Sequence, residues 1–415
     1  MQKTIAILAT LDTKGQEAEF LRGELEAMGS TALVVDIGVL NRPAARADIT
    51  RARVAKAAGS SLRELQSQGS RDAAQPVMAA GATRLLQELV EAHTLDGVIG
   101  LGGLQGTAAC TAVMRALPYG LPKVMVSTVA SGDTSPYVGI ADITMMFSVG
   151  DILGLNPFMR KVLANAAGAA HGMANTRVRL DTSRRRGPKP LIGISNLGVL
   201  TQGTIHAQKL FAKRGYETIV FHAVGTGGRA MELMMKQGII GAVFDYAMGE
   251  ISDEIFHGLR AGGKERFTVA GALGLPQVVC PGGAEHLGIL VQTPHVLPAR
   301  WKRHRHVWHN EVVLAPRLNP RELTLVAREA AARLQTTRGN AVLMIPRLGT
   351  GRYAMPGGPL HDPEGDRVFF DELVARVPDT IEVVEREAHA EDPAFVEEAV
   401  DRLIALIERG ARQSG

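Results

Sequence analysis

The chain has 415 residues, enough for two or three domains with buried cores, and its 46% hydrophobic and 21% charged residues exclude a disordered polypeptide. A net charge of +4 calls for no acidic partner, and two cysteines, Cys110 and Cys280, give neither a disulfide framework nor a zinc spacing, so a reducing, cytoplasmic setting is expected. No apolar run reaches the ~18 residues that cross a bilayer, and MQKTIAILATLDTKG opens as strand and turn rather than as a signal peptide, so no membrane partner is expected.

The first strand is predicted over Thr4–Ala9, followed by an amphipathic helix over Gln16–Met28 with Phe20, Leu21 and Leu25 on one face and Gly29 as its stop. Leu33–Ile37 reads as the second strand. The stretch Asn41–Gln75 is polar with weak helical periodicity and reads as a surface excursion. A helix over Pro76–Ala92, a strand over Gly97–Gly100, a helix over Ala108–Leu117 and a strand over Lys123–Ser127 follow, then a long helix over Asp151–Gly172. The charged segment Asp181–Pro190 (DTSRRRGPKP) is the expected linker, which places domains at 1–183 and 190–415. Beyond it the alternation restarts with a strand at Leu191–Ile194, a helix at Gln202–Arg214 stopped by Gly215, and a strand at Thr218–His222. Ala242–Phe244, Gln277–Cys280, Val312–Ala315, Val342–Ile345 and Ile381–Val384 read as later strands, and Pro393–Glu408 as the closing helix. Such alternation predicts an α/β protein of two Rossmann-like domains with mainly parallel sheets and a cleft between them.

Ligands of open α/β sheets bind beyond the carboxyl ends of the strands, so the loops there are the candidate sites. Residues 96–107 read DGVIGLGGLQGT, a strand running into a glycine loop and then a helix. Gly102, Gly103, Gly106 and Thr107 would let backbone N–H groups and a helix N-terminus meet a phosphate. Neither a Walker A loop nor the dinucleotide fingerprint is spelled, and a turn that merely packs closely is the alternative. In TLDTKG, Thr10 offers a hydroxyl, Asp12 could hold a sugar hydroxyl or a hydrated cation, and Lys14 could neutralise a phosphate; a capped helix start is the alternative. In SGDTSP, Ser131, Gly132, Asp133 and Thr134 offer short polar groups, Asp133 being a candidate Mg²⁺ or ribose ligand against a plain polar turn.

The second half carries its own glycine loop, HAVGTGGRAME, where Gly227 and Gly228 open a helix and Arg229 could fork onto an anionic oxygen. After the strand at Gln277–Cys280, Glu285 beside His286 could serve as base or metal ligand, or lie in a solvated loop. The segment WKRHRHVWHN is basic and aromatic, yet one such patch in a chain of +4 does not argue for nucleic acid, and His306, His309 and His286 match no closed zinc pattern. A loop whose His309 and Asn310 line a site is the favoured reading. MPGG with His361 and Asp362 forms another glycine-bearing loop, and the absence of G-x-S-x-G disfavours a serine hydrolase of that type. Arg229, Glu285, His286 and His309 therefore form the expected catalytic set, with proton transfer as its chemistry and the metal content open.

Several segments taken together carry a resemblance: ATLDTKG, DGVIGLGG with Gly106–Thr107, MVSTVASGDTSPYVG, ADITMMFSVGDI, FHAVGTGGRAME, VVCPG, HNEVVLAPR, MPGGP with HDPEGD, and DPAFVEEAV. In this order, over residues 3 to 408, they resemble the tomato mosaic virus resistance protein-like ATP-binding domain family of bacteria, fungi and plants. The resemblance implies two Rossmann-like subdomains, a homodimer, and binding of an adenine nucleotide, ATP with Mg²⁺ as candidate companion ion, by the first. The Ala, Gly and Met residues of Asp142–Gly172 would suit a helix pair buried in such a dimer. Three departures stand out. Leu104 and Gln105 replace Ser and Gly of the family's first glycine loop, Gly282–His286 lacks the usual Asp, and Leu200, Thr201 and Gln202 stand where T-T-P is usual. The leading expectation is an ATP-binding enzyme acting on an unidentified small molecule in the cleft. The alternatives are a non-catalytic, nucleotide-regulated interaction module, or a metal-assisted enzyme cleaving C–C or ester bonds with Glu285, His286 and His309.

Overall fold

Thr4–Ala9 is apolar on both faces, the pattern of a strand covered by helices on each side. In the computed structural model it is β1 (Thr4–Ala9), buried from Ile5 to Ala9. The structure describes residues 2–67, 71–178, 180 and 189–414, and the chain divides into two units, Met1–Leu180 and Asp181–Gly415. The expected linker at 181–190 lies almost wholly outside the described residues.

The first unit continues with α1 (Leu11–Ala27), β2 (Thr31–Asp36), α2 (Arg51–Ala57), α3 (Leu62–Ser67), α4 (Arg71–Glu91), β3 (Gly97–Gly102), α5 (Leu104–Arg115), β4 (Lys123–Ser127), α6 (Ser135–Val138), β5 (Thr144–Phe147) and α7 (Pro157–Ala174). Its strands pair in parallel in the order β2-β1-β3-β4-β5, with Ile5 opposite both Ala32 and Gly97. One face buries Ile5 and Ile7 against Leu21 and Leu25 of α1 and Ala166, Ala167 and Ala170 of α7. The other buries Ala6 and Leu8 against Val54, Leu86, Val113 and Met114. The order reverses between β1 and β3, so the loops leaving these two strands flank a topological switch point.

Four expectations are corrected here. The first helix starts at Leu11 rather than Gln16, with non-helical backbone at Lys14, so TLDTKG is mostly a first helical turn. The excursion over residues 41–75 contains two short helices and the start of a third. The helix expected from Asp151 begins at Pro157, because proline suits the first helical position and the Asn156 side chain accepts from Met159 N at 2.9 Å; Thr144–Phe147 before it is an additional strand. The alanines of α7 face their own sheet, so they give no argument for a helix pair between two copies.

The second unit runs β6 (Ile192–Asn196), α8 (Thr201–Lys213), β7 (Thr218–His222), α9 (Thr226–Lys236), β8 (Ala242–Ala247), α10 (Gly249–Phe256), α11 (Val269–Ala272) and β9 (Gln277–Gly282). It continues with β10 (Ile289–Leu290), β11 (His306–Trp308), β12 (Val313–Pro316), α12 (Pro320–Leu334), β13 (Ala341–Pro346), α13 (Pro363–Val374), β14 (Ile381–Arg386) and α14 (Pro393–Ser414). Six strands form a parallel sheet in the order β14-β13-β9-β8-β6-β7, repeating the reversal of the first unit. Phe211 of α8 and Leu403 and Ile407 of α14 pack with Ile192, Ile194 and Phe244. Leu323, Val326, Phe369 and Phe370 cover Val279, Leu343 and Ile345. Val312–Ala315, expected in the parallel sheet, instead falls in the middle of a small antiparallel sheet β10-β12-β11, with Leu290 opposite Val313 and Trp308 opposite Leu314. The short return between Trp308 and Val313 permits only antiparallel pairing of β11 with β12, since a parallel neighbour needs a crossover of about a dozen residues. Both units are therefore Rossmann-like α/β folds with mainly parallel sheets, and no helix among the described residues is long and apolar enough to cross a membrane.

Candidate functional site

The second unit carries the better-built site. Beyond the ends of β6, β7 and β9, and closed over by the antiparallel sheet, lies a cavity of about 220 Å³. Its walls are apolar, with Leu197, Val199, Val224, Leu287, Val313 and Ala315. Arg260 and His286 provide polar groups among these walls, and His222, His309 and Tyr353 are also in the lining.

Local backbone structure aims His286. Past β9 the chain turns at Gly283, whose φ of +65° suits glycine and whose N–H donates to Thr350 O at 3.0 Å. Leu318 N then donates to Glu285 O at 2.8 Å and Leu287 N to Pro316 O at 3.1 Å, clamping both sides of His286. The buried Glu285 Oε1 lies 2.7 Å from His286 Nδ1, and its Oε2 accepts from the Thr350 hydroxyl. Burial alone would raise the Glu285 carboxyl. His286, Arg317 and the Thr350 hydroxyl outweigh it and hold it at about 2. An ionised Glu285 only accepts, so the Nδ1 nitrogen carries a proton and the far nitrogen of the ring, Nε2, faces the cavity-lining Arg260. That Nε2 lies 3.3 Å from Arg260 Nη1. The His286 ring lies 5.5 Å from that of Tyr353, whose hydroxyl is 3.2 Å from His309 Nδ1.

Arg260 is 5% exposed, and its charge is met by Asp253, whose Oδ2 accepts from Nε at 3.0 Å and Nη2 at 2.7 Å. Nη2 also donates to His286 O at 2.5 Å. Asp253 Oδ1 accepts from the backbone of Arg260 and Gly288, each at 3.0 Å, so the ion pair is fixed to the loop carrying His286. Nη1 has two hydrogens and, among the described residues, one partner, His286 Nε2, which leaves its second N–H without an acceptor.

Of the four expected catalytic residues, Glu285, His286 and His309 meet here. Arg229 does not: it is exposed and its Nε turns back to Gly225 O at 3.3 Å. Arg260 takes the place assigned to it. Sequence reading missed Arg260 because it meets Asp253 only through the left-handed turn at His257 (φ +58°) that ends α10. Gly227 and Gly228 are corrected as well. The N–H groups of Gly225 and Gly228 donate to Glu250 Oε1 at 2.6 and 3.2 Å, so the chain's own carboxylate occupies the anion position. Arg266, fully buried, holds that carboxylate at 2.6 Å and reaches Asp245 and Glu232. Burial pushes Glu232 up to about 7, against the pull of Arg266. Elsewhere His304 pairs with Glu322 at 3.0 Å, Asn310 Oδ1 accepts from Val312 and Val313 N, and Asp362 caps α13. Among the described residues no three His, Cys, Asp or Glu side chains are placed to hold one metal ion.

In the first unit the three candidate loops leave the adjacent strands β1, β3 and β4 at one sheet edge. Thr10 and Thr13 share a hydroxyl contact of 2.8 Å, and Lys14 donates to Ile152 O. Asp12 Oδ2 accepts from Leu40 and Asn41 N, while Oδ1 is buried without a partner. A Cβ on Gly102 would strike Gly106 Cα at 2.7 Å, so this pair of glycines serves a tight turn. Gly103 differs: its nearest neighbour would be Thr128 Oγ1 at 3.8 Å. Thr107 turns its buried hydroxyl to Ser127 Oγ at 2.7 Å, away from any ligand. Ser131 and Gly132 are exposed, Thr134 starts α6, and Asp133 Oδ1 accepts from Ser135 N at 3.0 Å, the polar-turn arrangement.

The N-terminal domain of the family described as Uncharacterised protein family (UPF0261) matches residues 3–179 and its C-terminal domain matches residues 189–407, and the chain belongs to that family. A UPF0261 protein of Clostridium tetani is 36% identical over 411 residues, 99% of this chain and 100% of that protein. The ToMV resistance protein Tm-1(GCR237) of Solanum lycopersicum is 33% identical over 300 residues, 72% of this chain and 39% of that protein. A solved UDP-N-acetylglucosamine 2-epimerase aligns with 68% of this chain and 79% of its own at 10% identity and a TM-score of 0.23, too low to support any functional transfer.

Proposed function

We propose that this member of the UPF0261 family is an enzyme of small-molecule metabolism that moves a proton on a ligand held in the cavity of the second unit, and that its first unit binds an adenine nucleotide. The observation that carries the first part is the arrangement of Glu285, His286 and Arg260 around one apolar cavity. Glu285 holds the imidazole tautomer and stabilises the imidazolium that forms when Nε2 takes a proton. Arg260 supplies a fixed positive charge where negative charge develops on the ligand. Among the described residues that line the cavity there is no Ser, Cys or Lys, which favours acid–base chemistry over a covalent intermediate.

The nucleotide reading is supported by the switch point between β1 and β3, the open space at Gly103 and the unpartnered Asp12 Oδ1. Gly103 and the start of α5 would take phosphate oxygens, and Asp12 a sugar hydroxyl or the Mg²⁺; ATP when bound supplies a transferable phosphoryl group. The test of the catalytic part is consumption of metabolites from a cell extract, followed by mass spectrometry. Wild-type protein is expected to deplete a small molecule that His286→Gln leaves untouched. Equal depletion by both would remove His286 from the chemistry.

A further inference from the structure

We infer that the ligand of the second-unit cavity is a small monocarboxylic acid with an apolar body, its carboxylate seated on Arg260 Nη1 and its neighbouring carbon facing His286 Nε2. This rests on the acid–base reading of the same cavity and names the chemical class it acts on.

The argument begins with charge. Both guanidinium groups at this end of the sheet already face a carboxylate: Arg260 faces Asp253, and Arg317 faces Asp366 at 2.7 Å, while the imidazole of His286 faces Glu285. The start of α9, the nearest expected anion site in this unit, is filled by Glu250. Among the described residues of the lining the one guanidinium, that of Arg260, is already matched by Asp253, so a phosphate dianion would meet no uncompensated positive charge on these walls, a costly desolvation. A single carboxylate asks for less. The Nη1 hydrogen without an acceptor is a ready charge-assisted donor, and the guanidinium is rigid because Asp253 and His286 O hold its other nitrogens. The rest of the ligand meets Leu197, Val199, Val224, Val313 and Ala315, which reward an apolar body and penalise a polyhydroxylated one. Size agrees with such a body. An apolar cavity of about 150 Å³ takes up benzene, so the cavity of about 220 Å³ has room for a short branched or aromatic acid. A carboxylate that takes both Nη1 hydrogens displaces the contact of 3.3 Å between Nη1 and Nε2, and Nε2 is then free to face the carbon adjacent to the carboxylate.

The experiment is calorimetry on the full chain with isovalerate and benzoate, their neutral amides, and inorganic phosphate. The acids are expected to bind at least tenfold more tightly than the amides or phosphate. The double variant Asp253→Asn/Arg260→Met removes both partners of the ion pair, so no charge is left buried alone, and with its fold checked by circular dichroism it is expected to lose the acids by tenfold or more. Ala315→Leu, which shrinks the cavity without touching a charge, is expected to weaken benzoate. Equal binding of acid and amide, preference for phosphate, or full affinity in the double variant overturns the inference. A second readout, exchange in deuterated water of the hydrogens on the isovalerate carbon beside the carboxylate, a position that carries no hydrogen in benzoate, separates the two claims. Acids that bind without His286-dependent exchange would leave the ligand class standing and remove the acid–base reading. His286-dependent consumption of a neutral or phosphorylated metabolite, with no acid bound, would do the reverse.

Discussion

Two glycine loops that look alike in sequence are expected to respond oppositely to the same substitution. In Gly228→Ala the new Cβ would run into Glu250 Oε2 and lie 2.5 Å from Arg266 Nε, both fully buried. Helix α9 would have to move or the ion pair would have to open. Opening a buried pair by displacing one partner costs about 3–5 kcal/mol, and the two backbone hydrogen bonds to Glu250 Oε1 add about 1 kcal/mol each if they are lost. A loss of about 4 kcal/mol is a large share of the 5–15 kcal/mol typical of a domain. In Gly103→Ala the Cβ meets nothing closer than 3.8 Å, and Gly103 has φ −74°, which alanine adopts freely, so stability should change by less than about 0.5 kcal/mol. Differential scanning calorimetry and urea unfolding of the full-length variants provide the comparison. An undiminished midpoint for Gly228→Ala would mean that Glu250 does not fill the second glycine loop and that the loop is open to a ligand after all.

Gly103→Val, which adds bulk to the open loop, is expected to weaken ATP at least tenfold, about 1.4 kcal/mol, by calorimetry; unchanged affinity would remove this loop as the nucleotide site. Glu285→Gln keeps the shape of the pair but not its charge, and is expected to lower turnover of any substrate found by the metabolite screen about 10²–10⁴-fold; full activity would refute the orienting role. Burial raises Glu232 from 4.5 to about 7, so its contribution is fully present below pH 4.5 and is lost as pH rises through 7. Urea midpoints should accordingly fall between pH 5 and 8, by an amount worth on the order of 3 kcal/mol, and Glu232→Gln should flatten that slope. Glu285 has the opposite sign: its carboxyl is held at about 2, so its contribution is present above 4.5 and is lost as pH falls towards 2. Light scattering should give twice 44.2 kDa if the chain is a homodimer; a mass of 44.2 kDa across micromolar concentrations would exclude it.

Periodicity and punctuation in the sequence determined the alternation of strands and helices, because apolar runs such as TIAILA and stops such as Gly29 and Gly215 act within a few residues. Parallel sheets followed from that alternation, and the site's Glu285–His286 pair was legible because its members are neighbours just past a strand end. The antiparallel excursion around β12 was not, since a four-residue apolar run reads the same in either kind of sheet. Arg260 was invisible for a different reason: its partner Asp253, its neighbour His286 and the cavity walls come from separate segments that only the packed chain brings together. Glycine was the most ambiguous letter of all. Gly103 leaves space and Gly228 leaves none, and the difference lies in what stands opposite each, Thr128 at van der Waals distance in one case and the buried Glu250–Arg266 pair in the other. A residue without a side chain records that something must come close; only the tertiary structure decides whether that something is a ligand or the protein itself.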